Sequence, residues 1–216
     1  MITVWCVCWG EKYDSYCVQR LQKSVSVALT LRHRFVCITD RQIEGVTTVQ
    51  PKVDYPGWWQ KIGLFYPGMS DEYNLYLDLD VIVTGSLDRI AEYTSCNFAA
   101  PNNWAASGHG GVQSSVMAWK GGKGCHAEII WRLFDPAIAH WPPRNEPGVL
   151  WGDQEWCGQL RDEGRLNQTP IDDSLVKSYK YHVRPTHTVP DGCTVVVFHG
   201  DPKPSQADQD EDWYSW

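Results

Sequence analysis

Apolar residues in this chain fall mostly in short continuous runs rather than in alternating ones. Ile2–Cys8 is nearly unbroken up to Trp9-Gly10, and Arg34–Ile38, Val46–Val49, Leu75–Leu77, Val81–Val83, Phe98–Ala100, Ser114–Trp119 and Thr194–Phe198 read the same way. Runs of this length between turn residues predict strands buried on both faces, as in parallel sheets. Elsewhere the period lengthens to that of a helix. From Ser15 to about Leu29, Val18, Leu21, Val25, Ala28 and Leu29 share one face, and Asp14 stands where an N-cap belongs. Trp58–Phe65, Ser86–Tyr93, Cys125–Phe134 and Asp153–Arg165 predict further helices. Strands and helices alternate from the start, so the expected fold class is α/β, a mostly parallel sheet flanked by helices in a single domain. Pro101–Gly111 and the Pro- and Trp-rich Ala137–Val149 read as irregular segments built over one end of that sheet.

Composition narrows the picture. With 216 residues, 43% hydrophobic and 21% charged, the chain is long enough for a sizeable core and too apolar for disorder. The net charge of −7 is uneven, because residues 201–216 carry Asp201, Asp208, Asp210, Glu211 and Asp212 against Lys203. The expected division is a domain over residues 1–204 and an acidic, aromatic tail over residues 205–216. No cluster of Lys and Arg marks a face that tracks nucleic-acid phosphates. The eight Cys include no Cys-x-x-Cys pair, which argues against structural zinc and for reduced, buried thiols. Met1 leads directly into the first strand, without a signal-peptide pattern or an apolar run of membrane-spanning length, so a cytoplasmic protein with no transmembrane segment is expected. Twelve Trp is several times the usual share. They fill a core or line a groove that binds flat rings.

Two segments carry chemistry. In Leu75-Tyr76-Leu77-Asp78-Leu79-Asp80-Val81-Ile82-Val83, two acids interrupt an apolar strand. Spaced by two, they face the same side if the chain is extended. A divalent cation would relieve their repulsion, and hard carboxylate oxygens suit Mg²⁺ or Mn²⁺. They also fall at the carboxyl end of a strand, where open α/β sheets bind ligands. Turn or capping aspartates are the plainer alternative. The second segment is Val195-Val196-Val197-Phe198-His199-Gly200-Asp201-Pro202-Lys203-Pro204. A neutral imidazole at His199 can supply a nitrogen ligand, and Lys203 can neutralise an anionic leaving group. Metal and lysine together suit a diphosphate.

On these two segments the sequence resembles the metal-dependent glycosyltransferases of GT-A fold. The resemblance is to glycosyltransferase family 8, which includes glycogenin and the bacterial lipopolysaccharide galactosyltransferases, in a compact form like that of small phage and bacterial enzymes. That family pairs a DxD with a later His-x-x-Gly-x-x-Lys-Pro segment. Here the spacing departs, with Gly200 directly after His199. The resemblance implies Asp78, Asp80 and His199 as ligands of Mn²⁺ or Mg²⁺, and Lys203 with Gly200 on the diphosphate. Gly152-Asp153-Gln154 resembles the Asp-Gln pair that opens a helix beside the reaction centre, making Asp153 and Gln154 catalytic candidates. Trp58-Trp59-Gln60-Lys61-Ile62 resembles the helix that offers a basic residue, Lys61, to the donor. Gln113-Ser114-Ser115 resembles the family's Asn-x-Gly contact to the sugar, with Gln113 and Ser115 as the substitutions. The exit of the first strand, Cys8–Tyr13, would take the base and ribose, with Tyr13 as a stacking ring and Asp40 reaching the nucleoside.

The implied function is transfer of a sugar, with retention, from a nucleotide-sugar donor (a UDP-hexose by resemblance) to an acceptor hydroxyl. The acceptor is not legible: a glycan, a lipid-linked sugar, a protein and a modified DNA base all remain open. Two other readings stand beside it. A sugar-phosphate nucleotidyltransferase shares the architecture but opens with a Gly-rich basic loop after its first strand, unlike Cys8-Trp9-Gly10-Glu11-Lys12. A non-catalytic carbohydrate- or nucleotide-binding module would explain the Trp content without requiring Asp78, Asp80, His199 and Lys203 together.

Overall fold

The computed structural model describes residues 1–104, 111–142, 146 and 149–207. The expected strand over Ile2–Cys8 (β1) lies inside a seven-stranded sheet, hydrogen-bonded in parallel to β2 (His33–Thr39) and to β4 (Tyr73–Leu77). Beyond β2 comes β3 (Thr47–Val49), and beyond β4 come β7 (Val116–Lys120), β6 (Ala99–Ala100) and β8 (Thr169–Pro170). The pairings of β7 with β4 and with β6 are antiparallel and the others parallel, so the sheet is mostly parallel.

Alternation along β1 explains the layering. Val4, Cys6 and Cys8 point into one core with α1 (Ser15–Ala28), while Trp5 and Val7 point into a second core on the opposite face. Helix α1 buries Val18, Leu21 and Val25 on its expected face. Asp14 caps it, accepting from the Cys17 N–H at 3.1 Å. Asp14→Ala is therefore expected to cost about 1 kcal/mol in urea unfolding, and an unchanged midpoint would show that the cap adds nothing.

The opposite face is covered by the segment Gly57–Phe65, α3 (Ile129–Arg132) and α4 (Asp153–Asp162). Gly57–Phe65 is a 3₁₀ helix. Trp59 through Phe65 are buried on every side, so no amphipathic α-helical stripe dictates the wider 3.6 period. The helix expected over Cys125–Phe134 splits into a 3₁₀ turn, His126–Glu128, followed by α3. The one expected over Ser86–Tyr93 becomes α2 (Asp88–Ala91), continued by a 3₁₀ turn.

The larger departure from the sequence reading lies at Asp78–Asp80. The chain does not stay extended there but turns, and Leu79 packs into the first core. It leaves β4 and enters β5 (Val81–Val83), which belongs to a second, three-stranded sheet with β10 (Val195–Val197) and β9 (Val176–Ser178). Strand β10 runs antiparallel to β5, with Val197 opposite Val81. Phe198 N–H then donates to Asp80 O at 3.1 Å. This register carries the start of the His199–Lys203 segment to the aspartate turn, although Phe198 and Asp80 are 118 residues apart in the chain. Strands β8 and β9 escape the sequence pattern because they have two and three residues. All eight Cys are free, and Cys6, Cys8, Cys37, Cys157 and Cys193 are buried. The described chain continues past Pro204 to Ala207, which packs in a small core with Ile82, Tyr179 and Phe198. The remaining tail, 208–216, lies outside the described residues, as do 105–110 of the expected small-residue loop.

Candidate active site

The carboxyl ends of β1 and β4 open into a cleft of about 1070 Å³. Every assigned site residue except Asp40 lines it: Tyr13, Lys61, Asp78, Asp80, Gln113, Ser115, Asp153, Gln154, His199, Gly200 and Lys203. They come from six separate stretches of chain. Asp40, directly after β2, is exposed and pairs with Arg41 at 3.3 Å. Arg41 in turn donates to Gly10 O, so both residues brace the β1 exit from outside.

Asp78 directly follows β4, and its N–H donates to Ser115 O at 2.9 Å. Its Oδ1 accepts from the Tyr76 hydroxyl, two residues earlier on the same side of the strand, and lies 3.6 Å from Lys61 Nζ. That ammonium sits 2.8 Å from Asp153 Oδ2 and donates to Ser114 Oγ at 3.0 Å. Lys61 thus ties Ser114 and Asp153 together at the floor of the cleft. Lys61 and Asp153 are both under a tenth exposed. Burial by itself would lower the Lys61 pKa, but Asp153 and Asp78 outweigh it and hold the ammonium above its ordinary range. Burial raises the Asp153 carboxyl against the opposing pull of Lys61.

Asp80 Oδ2 accepts from the Tyr13 hydroxyl at 2.9 Å and from Lys203 Nζ at 2.6 Å. Burial, followed by the Asp80 charge, pushes the Tyr13 phenol up, so it remains a donor. Arg20 of α1 grips the aspartate turn from behind, donating from Nη2 to Leu79 O at 2.9 Å and to Val81 O at 3.3 Å. Among the described residues no hydrogen bond reaches Asp78 Oδ2 or Asp80 Oδ1.

His199 Nε2 lies 2.7 Å from Ser178 Oγ, and the ring stacks on Trp104 and on Tyr181. Burial first, then Lys180 and Lys203, lowers its pKa to about 4, so the imidazole is neutral at physiological pH. The left-handed φ of 68° at Gly200 requires glycine, and a Cβ there would come within 2.9 Å of Lys180 Nζ. Lys12 lies across the same cleft, its pKa lowered by burial and then by the charge of Lys203. Among the described residues the cleft thus gathers four lysines (Lys12, Lys61, Lys180 and Lys203) and four aspartates (Asp78, Asp80, Asp153 and Asp201).

The oxygens of Asp78 and Asp80 and a neutral imidazole line one cleft, a donor set that fits Mn²⁺ or Mg²⁺. Among the described residues Asp78 Oδ2 and Asp80 Oδ1 accept no hydrogen bond, which suits them to such an ion. Among the described residues no three His, Cys, Asp or Glu groups already stand together as a cage. Lys61 lies 3.6 Å from Asp78 and Lys203 lies 2.6 Å from Asp80, so each acid also has a lysine beside it.

Gln113 Oε1 accepts from the Ser115 N–H at 2.6 Å, so this amide shapes its own turn at the cleft wall. Gln154 is the second residue of α4 and faces the cleft. Gly152 is the N-cap of that helix, and Asp153 is its first residue rather than a cap. The sequence reading missed Arg20, Tyr76, Ser114, Lys180 and Tyr181. Tyr76 alone carried a signal, being two residues before Asp78 on one strand. The Trp residues divide. Trp5, Trp59, Trp119 and Trp156 are buried, whereas Trp9, Trp58, Trp141 and Trp151 line the cleft.

No family model and no curated protein matches the sequence. Solved structures do match the fold. The glycosyltransferase GlyE of Streptococcus pneumoniae TIGR4 superposes with a TM-score of 0.62 at 13% identity, over 94% of this chain and 56% of GlyE. The galactosyltransferase LgtC in complex with donor and acceptor sugar analogs gives 0.56 at 17% identity, over 94% of this chain and 88% of LgtC. An active-site mutant of LgtC gives 0.59 at 15% identity, over 99% and 91%. The chain spans little more than half of GlyE but nearly all of LgtC. It therefore has the GT-A fold expected from its sequence. No helix among the described residues is long and apolar enough to cross a membrane.

Proposed function

We propose that the protein is a glycosyltransferase that takes a sugar from a nucleoside-diphosphate sugar, a UDP-hexose, and transfers it to an acceptor hydroxyl with retention. The observation that carries this reading is the convergence of Asp78, Asp80, Lys203, His199 and the Asp153-Gln154 pair on one cleft at the carboxyl ends of the central strands. The GT-A fold supports the same reading.

In this reading Asp78, Asp80 and His199 hold Mn²⁺ or Mg²⁺. When bound, the ion supplies positive charge that offsets charge building on the departing diphosphate. The chain's own residues do the rest. Lys203 moves from Asp80 onto the diphosphate and shares that role, with Gly200 admitting the phosphates to the backbone. Lys12 and Lys180 add to a field that receives an anion favourably, since Lys203 already depresses Lys12 and both Lys180 and Lys203 depress His199. Tyr13 and the β1 exit take the nucleoside. Lys61, clamped by Asp153 and Asp78, fixes positive charge at the floor and orients the first turn of α4, from which Gln154 faces the sugar. The acceptor oxygen bonds the anomeric carbon as the diphosphate leaves with the bonding electron pair, and the hydroxyl proton passes to the departing diphosphate oxygen.

The test is nucleotide release across UDP-, GDP- and CDP-sugars with Mn²⁺ and with EDTA. Metal-dependent release from a UDP-sugar is expected, and no release from any donor would overturn the enzymatic reading. His199→Ala should raise the Mn²⁺ concentration needed for half-maximal release. Because His199 stays neutral down to about pH 4, the difference between variant and wild type should persist at pH 6. Convergence of the two at pH 6 alone would mean that the imidazole is protonated there, and no difference at pH 7 either would mean that it is not a ligand.

A further inference from the structure

The cleft contains an aromatic corner that none of this chemistry uses. Trp58 and Trp141 meet edge to face, with ring centroids 4.7 Å apart and planes at 84°. Two glycines make the corner possible. A Cβ on Gly57 would fall 2.3 Å from the Trp141 ring, and one on Gly152 would fall 2.3 Å from Trp58 Nε1. Trp58 spends its indole N–H inward on Trp151 O at 2.6 Å. Trp59 Nε1 donates to His140 O at 3.2 Å, fixing the backbone next to Trp141. Trp141 is nonetheless 49% exposed. A large ring is thus held in place at the cleft while half of its surface faces solvent.

We propose that Trp58, Trp141 and Trp151 form the acceptor subsite, and that the acceptor is a saccharide whose pyranose ring lays its C–H face on the Trp141 indole. This rests on the glycosyltransferase reading and adds the acceptor class. Three observations favour a saccharide. Through Trp151 the corner runs on in sequence to Gln154 and Glu155, polar side chains suited to ring hydroxyls, and all of them line the same cleft. Two rings at a right angle present one flat face and one edge, which fits a single saturated ring rather than an acyl chain. A nucleobase has a separate place, because Tyr13 packs on the first core and Trp58 on the second, so they flank the strand ends from opposite faces of the sheet.

The test uses the full chain with Mg²⁺ and UDP, and saturation-transfer NMR against methyl glycosides of glucose, galactose, mannose and N-acetylglucosamine and against lactose, maltose and cellobiose. At least one of these should show transfer to its ring C–H protons. Trp141→Ala should weaken its binding about tenfold and leave UDP affinity, measured by calorimetry, within about twofold. Trp141→Phe, which keeps a ring and guards against a folding defect, should retain most of the binding. No transfer to any saccharide, or equal transfer in Trp141→Ala, would overturn the proposal. So would a parallel loss of UDP affinity, which would make the indole a base platform. Saccharide binding without nucleotide release from any donor would sink the transferase reading while leaving the subsite standing.

Discussion

Asp80→Asn is expected to reduce nucleotide release from a UDP-sugar by about 10³-fold, with far-UV circular dichroism unchanged. The substitution keeps the shape and one carboxamide oxygen able to accept from Tyr13. It removes the negative charge that meets Lys203 at 2.6 Å and, in the proposed function, one ligand of the cation. Asp78→Asn should act similarly, since Asp78 faces the same cleft and balances Lys61 at 3.6 Å. Steady-state release at saturating Mn²⁺ measures both. Wild-type rates in both variants would remove the main support for the site.

The largest stability effect is expected at Lys61. Lys61→Met strands Asp153, a carboxylate under a tenth exposed that meets the lysine at 2.8 Å. Breaking a buried pair by removing one partner costs about 3–5 kcal/mol. The pH dependence has a definite sign. Even with Lys61 present, burial holds the Asp153 carboxyl above its ordinary value. Without the lysine, burial and Asp78 both push it further up. A carboxyl that binds its proton more tightly folded than unfolded stabilises the fold as pH falls. The deficit of Lys61→Met relative to wild type should therefore shrink as pH falls from 7 towards 5 in urea titrations. Comparison with wild type removes the acids common to both, such as Asp88 and Asp172, whose pKa values are lowered and whose contribution is lost in acid. Lys61→Met combined with Asp153→Leu should recover part of the loss, because the stranded charge is gone. A deficit below about 1 kcal/mol that ignores pH would show that water reaches the pair.

The central sheet is legible because its strands are long and buried on both faces: Ile2–Cys8 and His33–Thr39 were bounded within a residue or two by hydrophobicity alone. Asp14 was legible because capping is local chemistry. The aspartate turn was only half legible. Its two acids announced a site, but nothing local says that Val81–Val83 leaves the sheet of β4 to pair with Val195–Val197 more than a hundred residues later. That long-range register brings the His199 segment to Asp80, and only the family resemblance anticipated it.

The rest was hidden for identifiable reasons. Trp58 and Trp59 are neighbours in one 3₁₀ helix, yet Trp59 is fully buried and Trp58 lines the cleft. Composition cannot separate them, since the same indole serves a core and a ring-binding wall. Ser114, Lys180 and Tyr181 sit in short or irregular segments with no periodic signal. Asp40 stands apart from the other assigned residues. A strand-end acid is a natural ligand for a nucleoside, but here Arg41 beside it claims the carboxylate and Asp40 does not line the cleft. For Lys61 the resemblance identified the residue as a donor contact, whereas its clamp between Asp153 and Asp78 depends on packing that no spacing rule encodes.

Calorimetric titration of UDP into the protein, with Mn²⁺ and then with EDTA, tests the central claim most directly. Binding should require the metal in the wild-type chain and be lost in the Asp78→Asn/Asp80→Asn double variant. UDP binding of equal strength with EDTA, or undiminished in that variant, would contradict it.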